Sequence, residues 1–82
     1  MVSPEDVKSY IEESLDCQHI TVIGDGQHFE AVIVSSVFEG QGTLKRHQAV
    51  YAALGDRMKS EIHALSMKTL SPEEWKSQNP SS

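Results

Sequence analysis

Two runs rich in β-branched residues lie close together in the first half of the chain. The first is HITVIG, residues 19–24, and the second is HFEAVIVSSV, residues 28–37. Valine, isoleucine and threonine favour strands, so both runs are predicted to be β-strands. The residues between them, Gly24-Asp25-Gly26-Gln27, have the composition of a tight turn. Strands joined by so short a turn pair antiparallel, which predicts a β-hairpin.

A helix is predicted before this hairpin. Ser3 is suited to cap its free amides, Pro4 to occupy its first turn, and the acids that follow to face the positive end of its dipole. The helix is expected to end near Asp16. Its apolar stripe consists of Val7, Tyr10, Ile11 and Leu15.

The second half of the chain predicts further helices and one strand. Thr43 is expected to cap a helix, Gly55 interrupts it, and residues 56–61 continue as a short helical turn. Residues 62–69 are predicted to form a third strand. The apolar stripe of the helix is expected to consist of Leu44, His47, Val50, Tyr51 and Leu54.

The end of the chain repeats the opening helix signal. Ser71 and Glu74 have the spacing of a capping box, and Trp75 is the last large apolar anchor. Residues 77–82 are polar and are expected to be a disordered tail. The predicted order is therefore αββα(α)βα, a compact α+β domain over residues 1–76 with a three-stranded sheet.

Length and cysteine content exclude several classes of protein. A chain of 82 residues forms one domain with a small core. The single cysteine, Cys17, excludes an intramolecular disulfide and a site of four thiolates. It follows the first helix, where the negative end of the dipole raises a thiol pKa, so Cys17 is expected to be unreactive. No signal peptide or membrane span is expected, and a reducing cytoplasm is the predicted location.

The charge is unevenly distributed. The net charge is −5, with eight acids and one base in residues 1–42 and four acids and six bases in residues 43–82. An acidic chain is not typical of a nucleic-acid-binding protein. The bases that could form a local patch are Lys45, Arg46, Arg57, Lys59 and Lys68, although an ordinary solvated surface is the commoner outcome for such residues.

No motif of a known enzyme class is present. The sequence has no GxSxG, no HExxH and no GxxxxGK[ST], and Glu73 and Glu74 face apart on a helix. The chain is therefore expected to be a binding module without catalytic activity.

The four histidines are the candidate ligands. His19 is expected to be an ordinary surface or core residue, and His47 a structural one on the helix stripe. His28 is at the turn-to-strand junction, where a ring is accessible. His63 is expected at the start of the third strand, on the face of Leu65 and Met67. Neutral imidazole binds zinc, iron or copper, so His28 and His63 are the better placed pair.

Ordered motifs along the chain resemble those of the BolA family. They comprise the F-x-G loop at Phe38, the R-H step at Arg46, the V-Y pair at Val50 and the IHAL strand at residues 62–65. The closing segment is KTLSPEEW, residues 68–75. The match continues upstream through GDGQHFEAVIVS, and the short GDG-x-HF loop is most similar to the IbaG branch of bacterial BolA proteins.

The resemblance implies a fold, a partner and a cofactor. The fold is a compact αββαβα arrangement with class II KH-like topology. The partner is a monothiol glutaredoxin with a CGFS active site, and the two proteins share a [2Fe–2S] cluster with a glutathione thiolate. His63 corresponds to the family's strand ligand, and His28 to the loop ligand that is cysteine or histidine by subtype. The implied role is cluster trafficking or iron and stress regulation. The resemblance does not decide whether the chain also forms a homodimer.

The alternative is a KH-like transcriptional regulator that binds nucleic acid. Its candidate residues are Lys45, Arg46, Arg57 and Lys59. KH-like folds bind single strands through a GxxG loop, and this chain has none, since Gly40 and Gly42 are two residues apart. Its few aromatic residues form no recognisable stacking platform. Cluster sharing is therefore the favoured prediction.

Overall fold

A computed structural model describes residues 2–62 and 64–78, except for the side chain of Lys59. The elements occur in the order helix, two strands, two helices, strand and helix. They are α1 Pro4–Ser14, β1 His19–Gly24, β2 His28–Val34, α2 Thr43–Leu54, α3 Arg57–Ser60, β3 Ala64–Leu70 and α4 Pro72–Gln78.

Helix α1 begins at a complete capping box. The hydroxyl of Ser3 accepts a hydrogen bond from the N–H of Asp6 at 3.1 Å, and the carboxylate of Asp6 accepts one from the N–H of Ser3 at 3.0 Å. Both bonds satisfy amides that have no partner within the helix. The apolar stripe is confirmed: Val7, Ile11 and Leu15 are buried, and Tyr10 is half-buried.

The hairpin is confirmed, with β1 and β2 paired antiparallel from His19 opposite Val34 to Gly24 opposite Phe29. A Cβ atom on Gly24 would lie 2.5 Å from the carbonyl oxygen of His28 and 2.6 Å from Cδ1 of Phe29. Only glycine therefore fits where the two strands approach each other at the turn.

Strand β2 is shorter than the sequence predicts and ends at Val34. Ser35 is buried and leaves the hairpin: its hydroxyl donates to the carbonyl of Asp16 at 2.6 Å, and its N–H donates to the carbonyl of Leu70 at 3.0 Å. A 3₁₀ turn, Ser36–Phe38, then replaces the last predicted strand residues, and the Ser35 side chain caps it. Local side-chain bonding of this kind competes with strand pairing.

Two expectations for α2 are wrong. Its N-cap is Gly42, without a side-chain cap, and Thr43 is the first helical residue. Leu44 and Tyr51 are 71% and 42% exposed, whereas Val50 and Leu54 are buried. Positions 44 and 51 lie almost above one another but about 100° from Val50 around the helix, so they flank the buried face instead of joining it.

Strand β3 completes a mixed sheet in the order β1-β2-β3, parallel to β2. It begins at Ala64, two residues later than predicted. Ile62 is buried outside the strand, and His63 lies outside the described residues. The αββα(α)βα order and three-stranded sheet predicted from the sequence are confirmed, as is the class II KH-like fold that the resemblance implied.

Helices cover the two faces of the sheet unequally. Alternate strand residues Ile20, Phe29, Ala31 and Ile33 are buried on the face toward α1 and α2. Among the described strand residues of the outer face, only Val34 and Leu70 are buried, at the end where α4 lies. Helix α4 begins at the predicted capping box of Ser71 and Glu74. It continues to Gln78, two residues beyond the expected boundary, while residues 79–82 lie outside the described part.

None of the helices within residues 2–62 and 64–78 has the length and apolar character needed to cross a bilayer.

Candidate functional site

His28 lies at the end of the sheet opposite the one where Trp75 of α4 stacks on His19. It is the first residue of β2, it is exposed, and its register partner is Ala64, the first residue of β3. The N–H of Ala64 donates to the carbonyl of Gln27 at 3.1 Å. The hairpin turn and the start of β3 are therefore tied together beside the His28 ring.

Asp25 fixes the backbone from which the His28 ring projects. One oxygen of its carboxylate, Oδ1, accepts hydrogen bonds from the N–H groups of Gln27 and His28, both at 2.9 Å. The hydrogen bond from the His28 N–H, and then the one from the Gln27 N–H, hold the pKa of the Asp25 carboxyl below its ordinary value. A carboxylate that organises its own turn in this way limits the motion of the adjacent residue.

His28 belongs to the outer face of the sheet. Strand alternation places it with Glu30, whereas Leu65 and Met67 face the helices and pack against the core. The face expected for His63 from the sequence is that of Leu65 and Met67. A site using both histidines as expected would therefore have to straddle the end of the sheet.

The described residues do not form a complete metal site by themselves. Within residues 2–62 and 64–78, no group of three or more histidine, cysteine, aspartate or glutamate side chains is arranged to hold a metal ion. A [2Fe–2S] cluster needs four ligands. Among the described residues of the candidate ligand pair, His28 can supply one imidazole.

Cys17 does not add a thiolate to this site. Its pKa is raised to about 11, mainly by burial and then by the negative charges of Glu12 and Asp16, and its Sγ donates to the carbonyl of Leu15 at 3.4 Å. The predicted direction is confirmed, although burial and not the helix end is the largest cause. At neutral pH the thiol stays protonated, which makes it a poor nucleophile and metal ligand.

The other two described histidines lie elsewhere. The ring of His19 stacks on that of Trp75, with 4.6 Å between centroids and 19° between planes, and its Nε2 is 3.0 Å from Oγ1 of Thr21. His47 is half-buried on α2. No local sequence pattern links His19 to Trp75, because the contact joins β1 to a helix more than fifty residues away.

Arg46, a candidate for nucleic-acid binding, is engaged within the fold. Its guanidinium pairs with both carboxylate oxygens of Glu74, at 2.7 and 3.2 Å, and donates to the carbonyls of Gln41 and Thr69 at 2.8 and 3.0 Å. Its carbon Cζ lies 5.8 Å from the centre of the Phe38 ring. Only 12% of the side chain is exposed, so binding a phosphate would require breaking these contacts.

Of the remaining candidate bases for nucleic-acid binding, Arg57 is also engaged within the fold. Arg57 lies over the ring of Tyr10 at 4.0 Å and pairs with Glu13 at 3.6 Å. Lys45 is exposed on α2. The backbone of Lys59 belongs to α3, and its side chain is outside the described part.

The comparisons with known proteins agree on one family. A family model described as BolA-like protein matches residues 3–74. The acid stress protein IbaG of Escherichia coli is 35% identical over 71 residues, which cover 85% of this chain and 84% of that protein.

Two further relatives extend this match. A solved BolA homologue from Coxiella burnetii is 51% identical to this chain, with a TM-score of 0.80. The matched region covers 93% of this chain and 99% of the homologue. The DNA-binding transcriptional regulator BolA of Haemophilus influenzae is 43% identical over 56 residues, which cover 68% of this chain and 54% of that protein. The names of these relatives describe a stress protein and a regulator, not enzymes.

Proposed function

This chain belongs to the BolA family, with the match to IbaG supporting that branch, and we propose that it is the partner of a monothiol CGFS glutaredoxin. The two proteins share a [2Fe–2S] cluster, to which this chain contributes histidine ligands and the glutaredoxin and glutathione contribute thiolates. The role is iron–sulfur trafficking or regulation in response to iron or stress, in the cytoplasm. The name of the E. coli relative, an acid stress protein, supports a stress-related role.

The observation that carries this proposal is the position of His28. Its side chain is exposed at the end of the sheet away from α4, and Asp25 and the pairing with Ala64 hold its backbone. Ala64 is also the sequence neighbour of His63, the second proposed ligand. A ligand held on a rigid element and open to solvent suits a site that a second protein completes.

This chain's residues would set the properties of a bound cluster in two ways. Imidazole ligands in place of thiolates raise the reduction potential of a [2Fe–2S] cluster. The protonated thiol of Cys17 leaves the thiolates to the partner and to glutathione. The division of ligands makes cluster binding depend on assembly of the two proteins.

Assembly is the direct test of this dependence. The chain is incubated with iron and sulfide, either alone or with a CGFS glutaredoxin and glutathione, and the visible spectrum is recorded after gel filtration. We expect a coloured complex of both proteins and no stable cluster on this chain alone. A stoichiometric cluster on the isolated chain, or none with the glutaredoxin, would refute the proposal.

A second candidate function is nucleic-acid binding, favoured by the name of the H. influenzae relative, a DNA-binding regulator. The net charge of −5 and the internal contacts of Arg46 and Arg57 argue against it. We expect only weak DNA binding that falls steeply with salt, because its source would be phosphate contacts. Sequence-specific nanomolar binding that resists salt would make this function the better one.

A further inference from the structure

The outer face of the sheet has a shallow depression between β2 and β3, with a volume of about 260 Å³. Its lining residues come from the middle of the two strands: Glu30, Ala31, Val32, Ser66, Met67 and Lys68. The register places Glu30 beside Ser66 and Val32 beside Lys68, and strand alternation directs these four side chains to the outer face. We call the depression between these four side chains the outer groove.

The two charged residues of the outer groove are not paired. Glu30 and Lys68 are both exposed, and within the described part of the chain neither side chain takes part in a hydrogen bond or an ion pair. Opposite charges stabilise a sheet best when they lie directly opposite each other on neighbouring strands. Here a serine lies opposite the acid and a valine opposite the base, so the two charges are staggered across the groove.

This stagger separates the carboxylate from the ammonium by about the length of a short peptide. Neighbouring strands are about 4.8 Å apart and two residues span about 6.6 Å along a strand, so the α-carbons of Glu30 and Lys68 are about 8 Å apart. The ends of an extended di- or tripeptide are about 7–10 Å apart, because each residue adds about 3.3–3.6 Å. The groove is also smaller than the roughly 300–1,000 Å³ of a pocket for a drug-sized ligand, which suits so small a molecule.

Between the charges, the groove offers a hydroxyl and an apolar surface. Ser66 is exposed and can donate or accept a hydrogen bond, and Val32 is half-buried. On the other side of Glu30, its register partner Ile23 is 58% exposed. Apolar surface with a few polar groups at fixed places is the usual composition of a small-ligand site, since the polar groups orient the ligand.

We propose that the outer groove binds a small peptide-like molecule that has a free ammonium group and a free carboxylate. Glu30 pairs with the ammonium, Lys68 pairs with the carboxylate, and Ser66 bonds to the chain between them. Glutathione is a molecule of this class. The groove begins two residues from His28 on the same face of β2, so glutathione bound there lies beside the proposed cluster ligand.

Titration of the isolated chain with glutathione under reducing conditions tests the proposal, with NMR of the backbone amides as the readout. Glu30→Gln and Lys68→Met each remove one charge and keep the approximate size of the side chain. Lys45→Met is the matched control, because Lys45 is an exposed lysine on α2. Two blocked ligands, N-acetylglutathione and the glycine ethyl ester of glutathione, remove the corresponding charges from the ligand. Circular dichroism confirms that each variant is folded.

We expect saturable shifts centred on residues 30–32 and 66–68, with a dissociation constant on the order of 1 mM. Because exposed ion pairs contribute little, Glu30→Gln and Lys68→Met should each weaken binding about two- to fivefold, and Lys45→Met should leave it unchanged. N-acetylation should weaken binding to the wild type without weakening it further in Glu30→Gln. Esterification should behave in the same way toward Lys68→Met.

Two kinds of result would overturn the proposal. One is the lack of saturable shifts at these residues, or binding that is as strong in both charge variants as in the wild type. The other is a shift of the same residues with protein concentration in the absence of glutathione, because a second copy of the chain would then occupy the groove. Neither result bears on the proposed function, since the titration contains no iron, sulfide or glutaredoxin.

Discussion

The two ends of the sheet differ in how their outer face is covered. At one end, His19, Val34 and Leu70 form a row across the three strands, and α4 lies over it with Trp75 stacked on His19. At the other end, His28 pairs with Ala64 and its ring is exposed to solvent. We refer to these as the closed end and the open end.

At the closed end, the charged side chains of Arg46 and Glu74 form hydrogen bonds that connect helices and strands to one another. The guanidinium of Arg46, on α2, donates to a carbonyl in the loop before α2 and to one near the end of β3. It also donates to both carboxylate oxygens of Glu74 on α4. At the open end, Asp25 organises the turn and leaves the His28 ring accessible. The difference suggests that stability is concentrated at the closed end and ligand binding at the open end, and this division can be tested.

The largest loss of stability is expected at the closed end, from Arg46→Ala. The carbonyls of Gln41 and Thr69 lose a charged donor, and Glu74 loses its partner. We expect the free energy of unfolding in urea to fall by about 3 kcal/mol, because hydrogen bonds to charged groups contribute more than neutral ones. A loss below about 1 kcal/mol would mean that the Arg46 network is not a main support of the fold.

Gly24→Ser tests the backbone at the open end. The new Cβ would meet the carbonyl oxygen of His28 and the ring of Phe29, so we expect a loss of about 2 kcal/mol. Gly42→Ser is the matched control: nothing lies within 4 Å of its added Cβ, and serine is a good N-cap for α2. Equal unfolding free energies for the two variants would contradict the close approach at Gly24.

Acid should weaken the closed end through Glu74. The pKa of the Glu74 carboxyl is lowered from an ordinary 4.5 to about 2. The largest cause is its hydrogen bonding to Arg46, and the next is the hydrogen bond from the Ser71 N–H. The unfolded chain then binds this proton more readily than the folded chain, so stability is lost as pH falls from about 4.5 toward 2. Glu74→Gln should make urea stability less dependent on pH in this window. An unchanged slope would show that other carboxyls cause the acid sensitivity.

The smallest effect on stability is expected from His28→Ala. The side chain is exposed, and the bonds that organise the turn use its backbone, so the unfolding free energy should change by no more than about 0.5 kcal/mol. A larger loss in urea denaturation would show that the His28 ring supports the fold. The assignment of ligand binding to the open end would then lose its physical basis.

Local patterns in the sequence were sufficient for the elements but not for the network that joins them. The cap at Ser3, the capping box at Ser71 and the turn at Gly24 were predictable because each depends on residues a few positions apart. The role of Arg46 was not, since its partners come from the loop before α2, from β3 and from α4. Strand β2 was predicted too long because the bond from Ser35 to Asp16 spans nineteen residues.

For the candidate site too, local features could be predicted from the sequence but contacts between distant residues could not. Position and residue type indicated that the ring of His28 would be accessible, which the structure agrees with. The hydrogen bond from Tyr10 on α1 to Glu61 after α3 was not predicted, because the two residues are fifty-one positions apart and carry no motif. The role of His63 stays a prediction that depends on the resemblance.

The most direct test of the proposed histidine ligation is the spectrum of the complex with glutaredoxin. Absorption and paramagnetic resonance spectra are recorded for wild type, His63→Ala, His28→Ala and the control His19→Ala, with circular dichroism to confirm folding. We predict that His63→Ala gives a labile cluster whose spectrum approaches that of the glutaredoxin homodimer, that His28→Ala gives a milder change, and that His19→Ala gives none. A His63→Ala complex with the wild-type spectrum and lifetime would contradict the account.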